Sequence, residues 1–251
     1  MRALVVLPTY EEAEDIAEVL GRVRAAAPSA DILVIDDSSP DGTADIAKAC
    51  DYELGRVEVL VRPEKAGLGS AYRTGFRLAR DRGYDVVVEM DSDLSHDPAA
   101  LPGLLEAVEA GAYLAIGSRY VEGGSIPKQW PVYRRALSRW GNRYASVALN
   151  LPLADATSGF RAYRASVLAE LDLDAVRADG YAFQVEMAYL LARAGRAIVE
   201  VPIIFSDRRH GRSKMSIRVV VEALLLVTGW GVRDLVTGRR ARPPAARAPG
   251  A

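Results

Sequence analysis

The sequence predicts an α/β protein in which helices cover both faces of a mostly parallel β-sheet. Five short apolar runs, each of strand length, alternate with segments of helix length in the first 120 residues. Most of these runs are apolar throughout, as expected for strands buried on both faces of a parallel sheet. The chain has 251 residues, half of them hydrophobic, so we expect one domain with appendages.

Each element follows from this alternation of apolar periodicity and turn residues. Strands are predicted at 3–7, 32–35, 57–61, 84–90, 113–118 and 197–205, and helices at 16–23, 43–50, 69–82, from 98 onward and at 182–195. After residue 120, glycines, prolines and tryptophans interrupt the periodicity. They predict a loop able to move, followed by an arginine-rich helix that includes Arg134 and Arg143.

Charge and composition exclude several classes of function. The 32 basic and 33 acidic side chains nearly cancel, which argues against a general nucleic-acid-binding surface. Cys50 is the only cysteine, so we expect no disulfide framework and a reducing compartment. Two histidines, His96 and His210, make a histidine-rich zinc centre improbable on composition. The first residues resemble no export signal, and no charge-free apolar stretch is long enough for a transmembrane helix.

Acidic and hydroxyl side chains follow the predicted strands where each strand ends. The strand ends carry PTYEE from Pro8, DDSS from Asp36, DSD from Asp91 and GSR from Gly117. In open parallel sheets, ligands bind outside the carboxyl ends of the strands. Asp91 and Asp93 are two positions apart and project to the same side, so both can reach one hard cation such as Mg²⁺ or Mn²⁺.

Taken alone, the DSD motif has other interpretations. Asp97-Pro98 has the character of a helix start, and preceding acids favour a helix N-terminus. DSDLS also resembles the aspartyl nucleophile loop of haloacid-dehalogenase-type phosphatases, although that loop follows the first strand of its domain. Neither a G-x-G-x-x-G nor a P-loop sequence is present, so a nucleotide would bind through its base and ribose, with Asp36 or Asp37 as hydrogen-bond acceptors.

Several longer motifs resemble a known family, in the order in which that family has them. They are PTYEE, VIDDSSPDGT, AGLGSAYRTGF, EMDSDLSHDP, IGSRYVEGG, DATSGFRAYR, GYAFQVEM and VPIIFSDRRHGRSKM. Over residues 3 to 216 the chain resembles glycosyltransferase family 2, specifically the polyprenol (dolichol) phosphate mannose synthases. The resemblance implies a GT-A fold and an inverting transfer of mannose from GDP-mannose to a polyprenyl monophosphate.

The resemblance also implies which residues bind the donor. The implied nucleotide-side residues are Pro8, Tyr10, Glu12 and Asp37, and those at the metal and diphosphate are Asp91, Ser92, Asp93, Ser95, Arg208 and Lys214. Asp91 and Asp93 would hold the divalent metal, and Arg208 and Lys214 belong to a loop that closes on the diphosphate. Two positions depart from the family pattern: Glu11 replaces an amide, and Ser95 replaces a frequent glutamine.

For the acceptor phosphate the resemblance implies Arg119, Arg134 and Ser138. These roles agree with simple chemistry, because a guanidinium grips phosphate oxygens bidentately. A phosphate monoester is largely ionised near neutral pH, so it needs orientation more than a general base. Cations near a diphosphate leaving group stabilise the charge that develops on it. On this basis Asp91, Asp93, Arg119 and Arg208 are the predicted catalytic residues.

The C-terminal part predicts contact with a membrane surface. We divide the chain into a catalytic domain at 1–216, an amphipathic helix at 217–237 and a basic, disordered tail at 238–251. The helix has Trp230 suited to the headgroup level, and arginines in the tail add attraction to anionic lipid. The alternative is a core helix packed on the sheet. We therefore expect a peripheral protein on the cytoplasmic face of a membrane.

Three other functions remain open on sequence grounds. The first is a family 2 transferase with another donor, such as UDP-glucose, and the same acceptor. The second is an aspartyl-nucleophile phosphatase acting through Asp91. The third is a noncatalytic module that binds a nucleotide sugar without turnover.

Overall fold

The structure is a computed structural model that describes residues 1–176, 178, 180–209 and 217–238, with the backbone alone at 217–219. Its strands are β1 (Ala3–Thr9), β2 (Asp31–Asp36), β3 (Val57–Val61), β4 (Val86–Glu89), β5 (Leu114–Ser118), β6 (Arg161–Arg164) and β7 (Ile198–Pro202). Its α-helices are α1 (Ile16–Ala26), α2 (Thr43–Leu54), α3 (Leu68–Asp81), α4 (Leu101–Glu109), α5 (Val132–Ala148), α6 (Ala165–Glu170), α7 (Gly180–Arg193) and α8 (Ile217–Thr237).

The seven strands form one sheet in the order β3-β2-β1-β4-β6-β5-β7. All neighbouring pairs are parallel except those of β6, which runs antiparallel to both β4 and β5. The mostly parallel α/β fold predicted from the sequence is therefore confirmed. Strand β6 was not predicted, because its RAYR sequence is short and lacks the apolar run that marks the other strands.

Helices cover both faces of the sheet, as the continuous apolar strands require. On one face, α1 and α4 pack Leu20 and Leu104 against strand residues such as Val5 and Val88. On the other face, aromatic rings of α3, β6 and α7 form a cluster that includes Phe76, whose ring centroid lies 5.2 Å from that of Tyr163. Two buried layers of this kind need one continuous sheet between them, which is the predicted architecture.

A close approach of α3 to β1 requires Gly75. A Cβ atom added at Gly75 would lie 2.7 Å from Cγ1 of Val6, well inside van der Waals contact. The missing side chain therefore lets α3 settle on the sheet beside β1.

Helix α8 packs on other helices and leaves an apolar row exposed. The Trp230 ring stacks on Tyr189 of α7 at a centroid distance of 5.7 Å, and Thr228 shares a 2.6 Å hydrogen bond with Tyr144 of α5. Trp230 is thus partly buried against α7, and the place of its ring at a headgroup stays a prediction. Val221, Leu225 and Leu235 are exposed on the helix.

The helix expected at 217–237 is present as α8, and its Val227 joins the buried cluster beside α7, whereas the core alternative placed this helix on the sheet itself. Among the helices of the described residues, none combines the length and apolar character needed to cross a bilayer. Contact of α8 with a membrane stays a prediction, and the predicted tail from 239 onward lies outside the described residues.

Candidate active site

A long groove runs along the edge of the sheet where the parallel strands end. Its empty space, part of which is open to solvent, is about 1370 Å³. The loops after β1, β2 and β4 line one part of it, and the segment before β6 together with the start of α7 lines the other. Because β6 is reversed, its first residues reach the same edge as the last residues of its parallel neighbours. We call this groove the polar groove.

The structure places most of the predicted donor-side residues along the polar groove. Those that line it are Pro8, Tyr10, Glu12, Asp37, Asp91, Ser92, Asp93 and Arg208. Lys214 lies outside the described residues. Ser95 is buried and lines no wall of the groove, but its backbone N–H donates a 3.0 Å hydrogen bond to Oδ1 of Asp93. Ser95 therefore orients a carboxylate.

The two carboxylates after β4 differ in their surroundings. Asp91 is half-buried, and its Oδ1 accepts a 3.4 Å hydrogen bond from the hydroxyl of Tyr72. Burial raises the pKa of Asp91 above its ordinary value. Burial also acts to raise the pKa of Asp93, but the hydrogen bonds of Ser95 and the charge of Arg208 outweigh it and lower that pKa. Asp93 is therefore ionised at neutral pH.

Arg208 reaches the carboxylate pair from the loop after β7. Its Nη2 lies 2.7 Å from Oδ2 of Asp93. This contact joins residues far apart in sequence, and the closure of this loop over a donor stays a prediction. A cation paired with the carboxylates is also placed next to any anionic group that binds there.

Buried groups fix the end of the polar groove that β1 and β2 form. Asp36 is fully buried and accepts hydrogen bonds from the hydroxyls of Thr9 and Ser39 at 2.8 and 2.6 Å, so it is structural and does not line the groove. Asp37 lines the groove, and its Oδ1 accepts a 2.6 Å bond from Nε of Arg62. Of the two acceptors proposed from the sequence, Asp37 is the one placed to meet a ligand.

Tyr10 forms part of the wall at this end. Nζ of Lys65 lies 3.5 Å from the centroid of the Tyr10 ring, and both residues line the polar groove. The hydroxyl of Ser92 donates a 2.8 Å hydrogen bond to the carbonyl of Pro8 and thereby joins the ends of β1 and β4. These contacts hold an aromatic ring in the wall of the groove.

A second groove of about 1000 Å³ adjoins the first and has different walls. Apolar and aromatic side chains of α5, α7 and α8 form most of its lining; they include Leu137, Trp140, Tyr144, Val185, Leu224 and Val227. We call it the apolar groove. Thr157 and Tyr181 line both grooves, so the two meet at these residues.

The three residues predicted to bind an acceptor phosphate all line the apolar groove. The half-exposed side chain of Arg134 lies 3.6 Å from Asp207, with its guanidinium carbon 3.8 Å from the ring centroid of Trp130. The hydroxyl of Ser138 lies 2.6 Å from that of Tyr120. The structure therefore brings together a cation and hydroxyls at the polar end of an otherwise apolar channel.

Arg119 is held in a way that the sequence did not predict. It is buried, and its Nε and Nη2 each donate a 2.7 Å hydrogen bond to Asp155, while Nη2 also donates to Thr157 at 2.9 Å. Burial opposes the charge of Arg119, but Asp155 outweighs it and raises the arginine pKa. Two of its three guanidinium nitrogens are thus engaged by the protein, which fixes the direction in which it faces the groove.

Sequence reasoning assigned no role to Asp155, Thr157 or Tyr181. All three stand in motifs that carried the family resemblance, DATSGF and GYAF. Their positions became informative only when the fold brought the segment before β6 next to α7. Lys65, in the loop before α3, had no distinguishing sequence pattern.

A buried carboxyl at the end of β4 was also missed. Glu89 is fully buried, and burial raises its pKa to about 8, although the charge of its cross-strand neighbour Arg161 opposes the shift. The Arg161 guanidinium donates to the carbonyls of Ala156, Ser158 and Gln184. This arginine therefore fixes the segment that leads into β6 against α7.

A mostly parallel sheet with a carboxylate pair at its carboxyl edge, next to a groove large enough for a nucleotide, is typical of transferases that use nucleotide-activated substrates. Comparison with known proteins narrows this class. The model of the family "Glycosyl transferase family 2" matches residues 4–172. The chain belongs to glycosyl transferase family 2, which contradicts the phosphatase alternative.

Curated relatives match nearly the whole chain. An undecaprenyl-phosphate mannosyltransferase of Micrococcus luteus is 51% identical and covers 96% of this chain and 99% of its own length. A polyprenol monophosphomannose synthase of Mycolicibacterium smegmatis is 48% identical over 92% of this chain and 88% of its own. A dolichol-phosphate mannosyltransferase of Pyrococcus furiosus is 36% identical over 89% and 62%, respectively. The resemblance found in the motifs is confirmed.

Solved structures share the fold at low sequence identity. Glucosyl-3-phosphoglycerate synthase from Mycobacterium tuberculosis aligns with a TM-score of 0.62 at 22% identity, covering 91% of this chain and 80% of that one. A mannosyltransferase from Pyrobaculum calidifontis, solved with GDP-Man and Mn²⁺, aligns with a TM-score of 0.57 at 16% identity, covering 99% and 76%. These likenesses confirm the GT-A fold.

Proposed function

We propose that this glycosyltransferase moves mannose from GDP-mannose to a polyprenyl monophosphate, with inversion at the sugar and with Mg²⁺ or Mn²⁺ as cofactor. One observation carries the proposal: two grooves of opposite chemistry meet at Thr157 and Tyr181, next to Asp91. A polar nucleotide sugar fits one groove, and a phosphate on an apolar chain fits the other. The names of the relatives support mannose as the sugar and a polyprenyl phosphate as the acceptor.

The donor side of the proposal follows the order of the strands. Tyr10 and Asp37 directly follow β1 and β2, so they suit the base and ribose. Asp91 and Asp93 follow β4, where a diphosphate would come next. Arg208 next to Asp93 supplies a cation for the leaving group. The sugar then lies toward β6 and α7, where the grooves meet.

The residues present fit a divalent cation. Hard ions such as Mg²⁺ take one or two protein carboxylates and complete their shells with substrate phosphates and water. Asp91 and Asp93 provide that number, and the described residues assemble no larger group of potential metal-ligating side chains. A bound cation at these residues would neutralise charge on the diphosphate as it leaves.

Transfer requires one displacement at the anomeric carbon. A phosphate oxygen of the acceptor forms the new bond to this carbon while the bond to the donor diphosphate breaks, so the configuration inverts and GDP leaves with the electron pair. Near neutral pH the acceptor is already largely ionised and gives up no proton. Arg134 and the fixed Arg119 would orient the attacking phosphate.

The lipid side of the proposal rests on the apolar groove and α8. Leu224 and Val227 of α8 line the groove, and other apolar side chains of the helix are exposed. A polyprenyl chain resides in a bilayer, so this helix would lie at the membrane surface with the groove open to the lipid. We place the protein on the cytoplasmic face, where nucleotide sugars are available.

The direct test is an assay with radiolabelled GDP-mannose and a polyprenyl phosphate in detergent or vesicles. We expect labelled lipid that carries the phosphate, and its loss when EDTA removes the metal. GDP-glucose and UDP-glucose as competitors identify the donor, since only the correct nucleotide sugar should compete well. Binding of GDP-mannose without turnover on any polyprenyl phosphate would leave the noncatalytic alternative and contradict the proposal.

A further inference from the structure

Tyr181 lies at the junction of the two grooves, and the proposed reaction assigns it no role. It is the second residue of α7, is 42% exposed and lines both grooves. Within the part of the chain that the structure describes, its hydroxyl makes no hydrogen bond. Tyr144, which also lines the apolar groove, instead shares its hydroxyl with Thr228 at 2.6 Å. The hydroxyl of Tyr181 is therefore available to a ligand.

Charged side chains of both grooves lie close enough to act on this hydroxyl. Partial burial raises the pKa of Tyr181, and the charge of Asp91 adds to the shift. The charges of Arg119, Arg134 and Arg208 oppose this rise in the pKa. The hydroxyl keeps its proton at neutral pH, because the ordinary tyrosine pKa is already about 10. It is thus an uncharged hydrogen-bond donor that lies among cations of both substrate sites.

Arg161 joins the two walls of the junction. Its guanidinium donates 2.7 Å hydrogen bonds to the carbonyl of Gln184 in α7 and to that of Ala156, next to Thr157. Arg161 is fully buried, so water does not compete for these bonds. The first turns of α7, which carry Tyr181, are therefore held relative to Thr157 before any ligand binds, and this lowers the entropic cost of binding.

A phosphate at the polar end of the apolar groove needs several donors, because it carries three strong acceptor oxygens. Arg119 already gives Nε and Nη2 to Asp155. Ser138 shares its hydroxyl with Tyr120. The guanidinium of Arg134 and the remaining Nη1 of Arg119 are the main donors that the predicted acceptor residues offer. A hydroxyl at the junction supplies a further donor, on the side of the polar groove.

Attack on the donor sugar requires a phosphate oxygen to pass from the apolar groove into the polar groove. Tyr181 and Thr157 border this passage. A neutral hydroxyl holds an attacking oxygen there less tightly than a guanidinium does, so the oxygen keeps more of its charge for the new bond. The diphosphate, by contrast, has Arg208 beside the carboxylates. The position of Tyr181 therefore favours the acceptor phosphate as its partner.

We infer that the hydroxyl of Tyr181 donates a hydrogen bond to an oxygen of the acceptor phosphate and holds that phosphate at the junction of the grooves for attack. The inference rests on the proposed function, because it takes the apolar groove as the acceptor site. The hydroxyl keeps its proton throughout the transfer. Tyr181 is therefore a further catalytic residue, in addition to Arg119 and Arg134, and it acts as a neutral donor.

The test separates the phosphate from the rest of the acceptor. Tyr181→Phe removes the hydroxyl and keeps the ring. Calorimetry with GDP and Mn²⁺ present measures the binding of a short-chain isoprenyl phosphate and of the matching isoprenol. We expect the variant to bind the phosphate roughly tenfold more weakly and the alcohol within about twofold of wild type. In steady-state kinetics, kcat/KM for the isoprenyl phosphate should fall about tenfold or more, while the KM for GDP-mannose stays within about twofold.

Tyr133→Phe is the matched control. Tyr133 lies on α5, is 74% exposed and lines neither groove, and its hydroxyl likewise makes no hydrogen bond within the described residues. This variant should keep the wild-type ratio of phosphate to alcohol affinity. Thermal unfolding of both variants shows whether they are folded, and a general disturbance of the groove would weaken phosphate and alcohol alike.

Failure of the inference and failure of the proposed function give different results. The inference is overturned if Tyr181→Phe keeps the wild-type preference for phosphate over alcohol, or if it weakens both ligands equally. It is also overturned if the KM for GDP-mannose rises more than that for the acceptor. The proposed function survives each of these results. If wild type binds isoprenyl phosphate no better than isoprenol and transfers no mannose to any polyprenyl phosphate, the proposed function itself is wrong.

Discussion

The two grooves are built from different parts of the fold, and the polarity of their walls differs accordingly. The polar groove lies on strand ends whose charged groups are already paired within the protein, as in Asp37 with Arg62 and Asp93 with Arg208. The apolar groove lies between helices, and the half-exposed Arg134 provides its accessible charge. The first is suited to recognising one small polar molecule, whereas the second is suited to accepting a chain of variable length.

The largest effect is expected on the polar side. Asp91→Ala removes a carboxylate from the proposed cation site, so transfer should fall by about a thousandfold or more in the radiolabel assay. Asp97→Ala is the matched control, because Asp97 is a nearby acid that caps the turn at Pro98 through a 3.0 Å bond to the Ala99 N–H. Near-normal turnover of Asp91→Ala would remove the basis for a metal site here.

A second substitution tests how much the ion pair at the junction of the two grooves stabilises the fold. Asp155→Asn leaves the buried guanidinium of Arg119 without its countercharge, so the variant should lose about 3–5 kcal/mol of stability. The exposed pair of Arg77 and Asp174 gives a matched control, since Asp174→Asn should cost less than about 1 kcal/mol. Chemical denaturation at neutral pH measures the free energy of unfolding of both variants. Equal losses would contradict the expected difference between the buried and the exposed ion pair.

The pH dependence of the same pair has a defined sign. Burial acts to raise the pKa of Asp155, but Arg119 outweighs it and lowers that pKa. The stabilisation is therefore fully present above the ordinary carboxyl pKa and is lost as the pH falls through the lower folded-state value. The stability difference between wild type and Asp155→Asn should be constant from about pH 6 to 8 and shrink below about pH 4.

On the apolar side, Arg134→Ala should raise the KM for the polyprenyl phosphate about ten- to a hundredfold while leaving the affinity for the donor nearly unchanged. Steady-state kinetics with each substrate varied separately provides the measurement. Arg135→Ala is the control, because Arg135 is the next residue on α5, is also partly exposed and lines neither groove. A larger change in the donor KM than in the acceptor KM would reverse the proposed assignment of the grooves.

The smallest effect concerns the lipid chain. Leu224→Ser places a hydroxyl in the wall of the apolar groove, so turnover of a long-chain polyprenyl phosphate should fall roughly threefold to tenfold. A short, water-soluble isoprenyl phosphate should be used as before, since its chain ends before α8. Equal losses for both acceptors would show that the serine disturbs the fold and not the lipid contact.

The same contrast explains which features the sequence could predict. Carboxylates that follow apolar strands, such as Asp91 and Asp93, are local signals, because strand period and strand ends can be read directly. Asp155 is different, since its role depends on Arg119, which belongs to another strand end. Tyr181 stands next to an apolar helix pattern that predicts a core position, and only the fold shows that this helix borders both grooves. Both roles were missed because β6, which brings these segments to the groove, was not predicted.

The reversal of β6 has a consequence for how the protein is made. Strand β4 pairs with β1 on one side and with β6 on the other. During synthesis, β1 to β4 emerge first, and the fully apolar edge of β4 at Val86–Val88 has no permanent neighbour until Arg161–Arg164 leaves the ribosome. An open edge of this kind promotes pairing between chains. Nascent chains that stall before β6 are therefore expected to aggregate, whereas those that stall after it keep a closed central sheet.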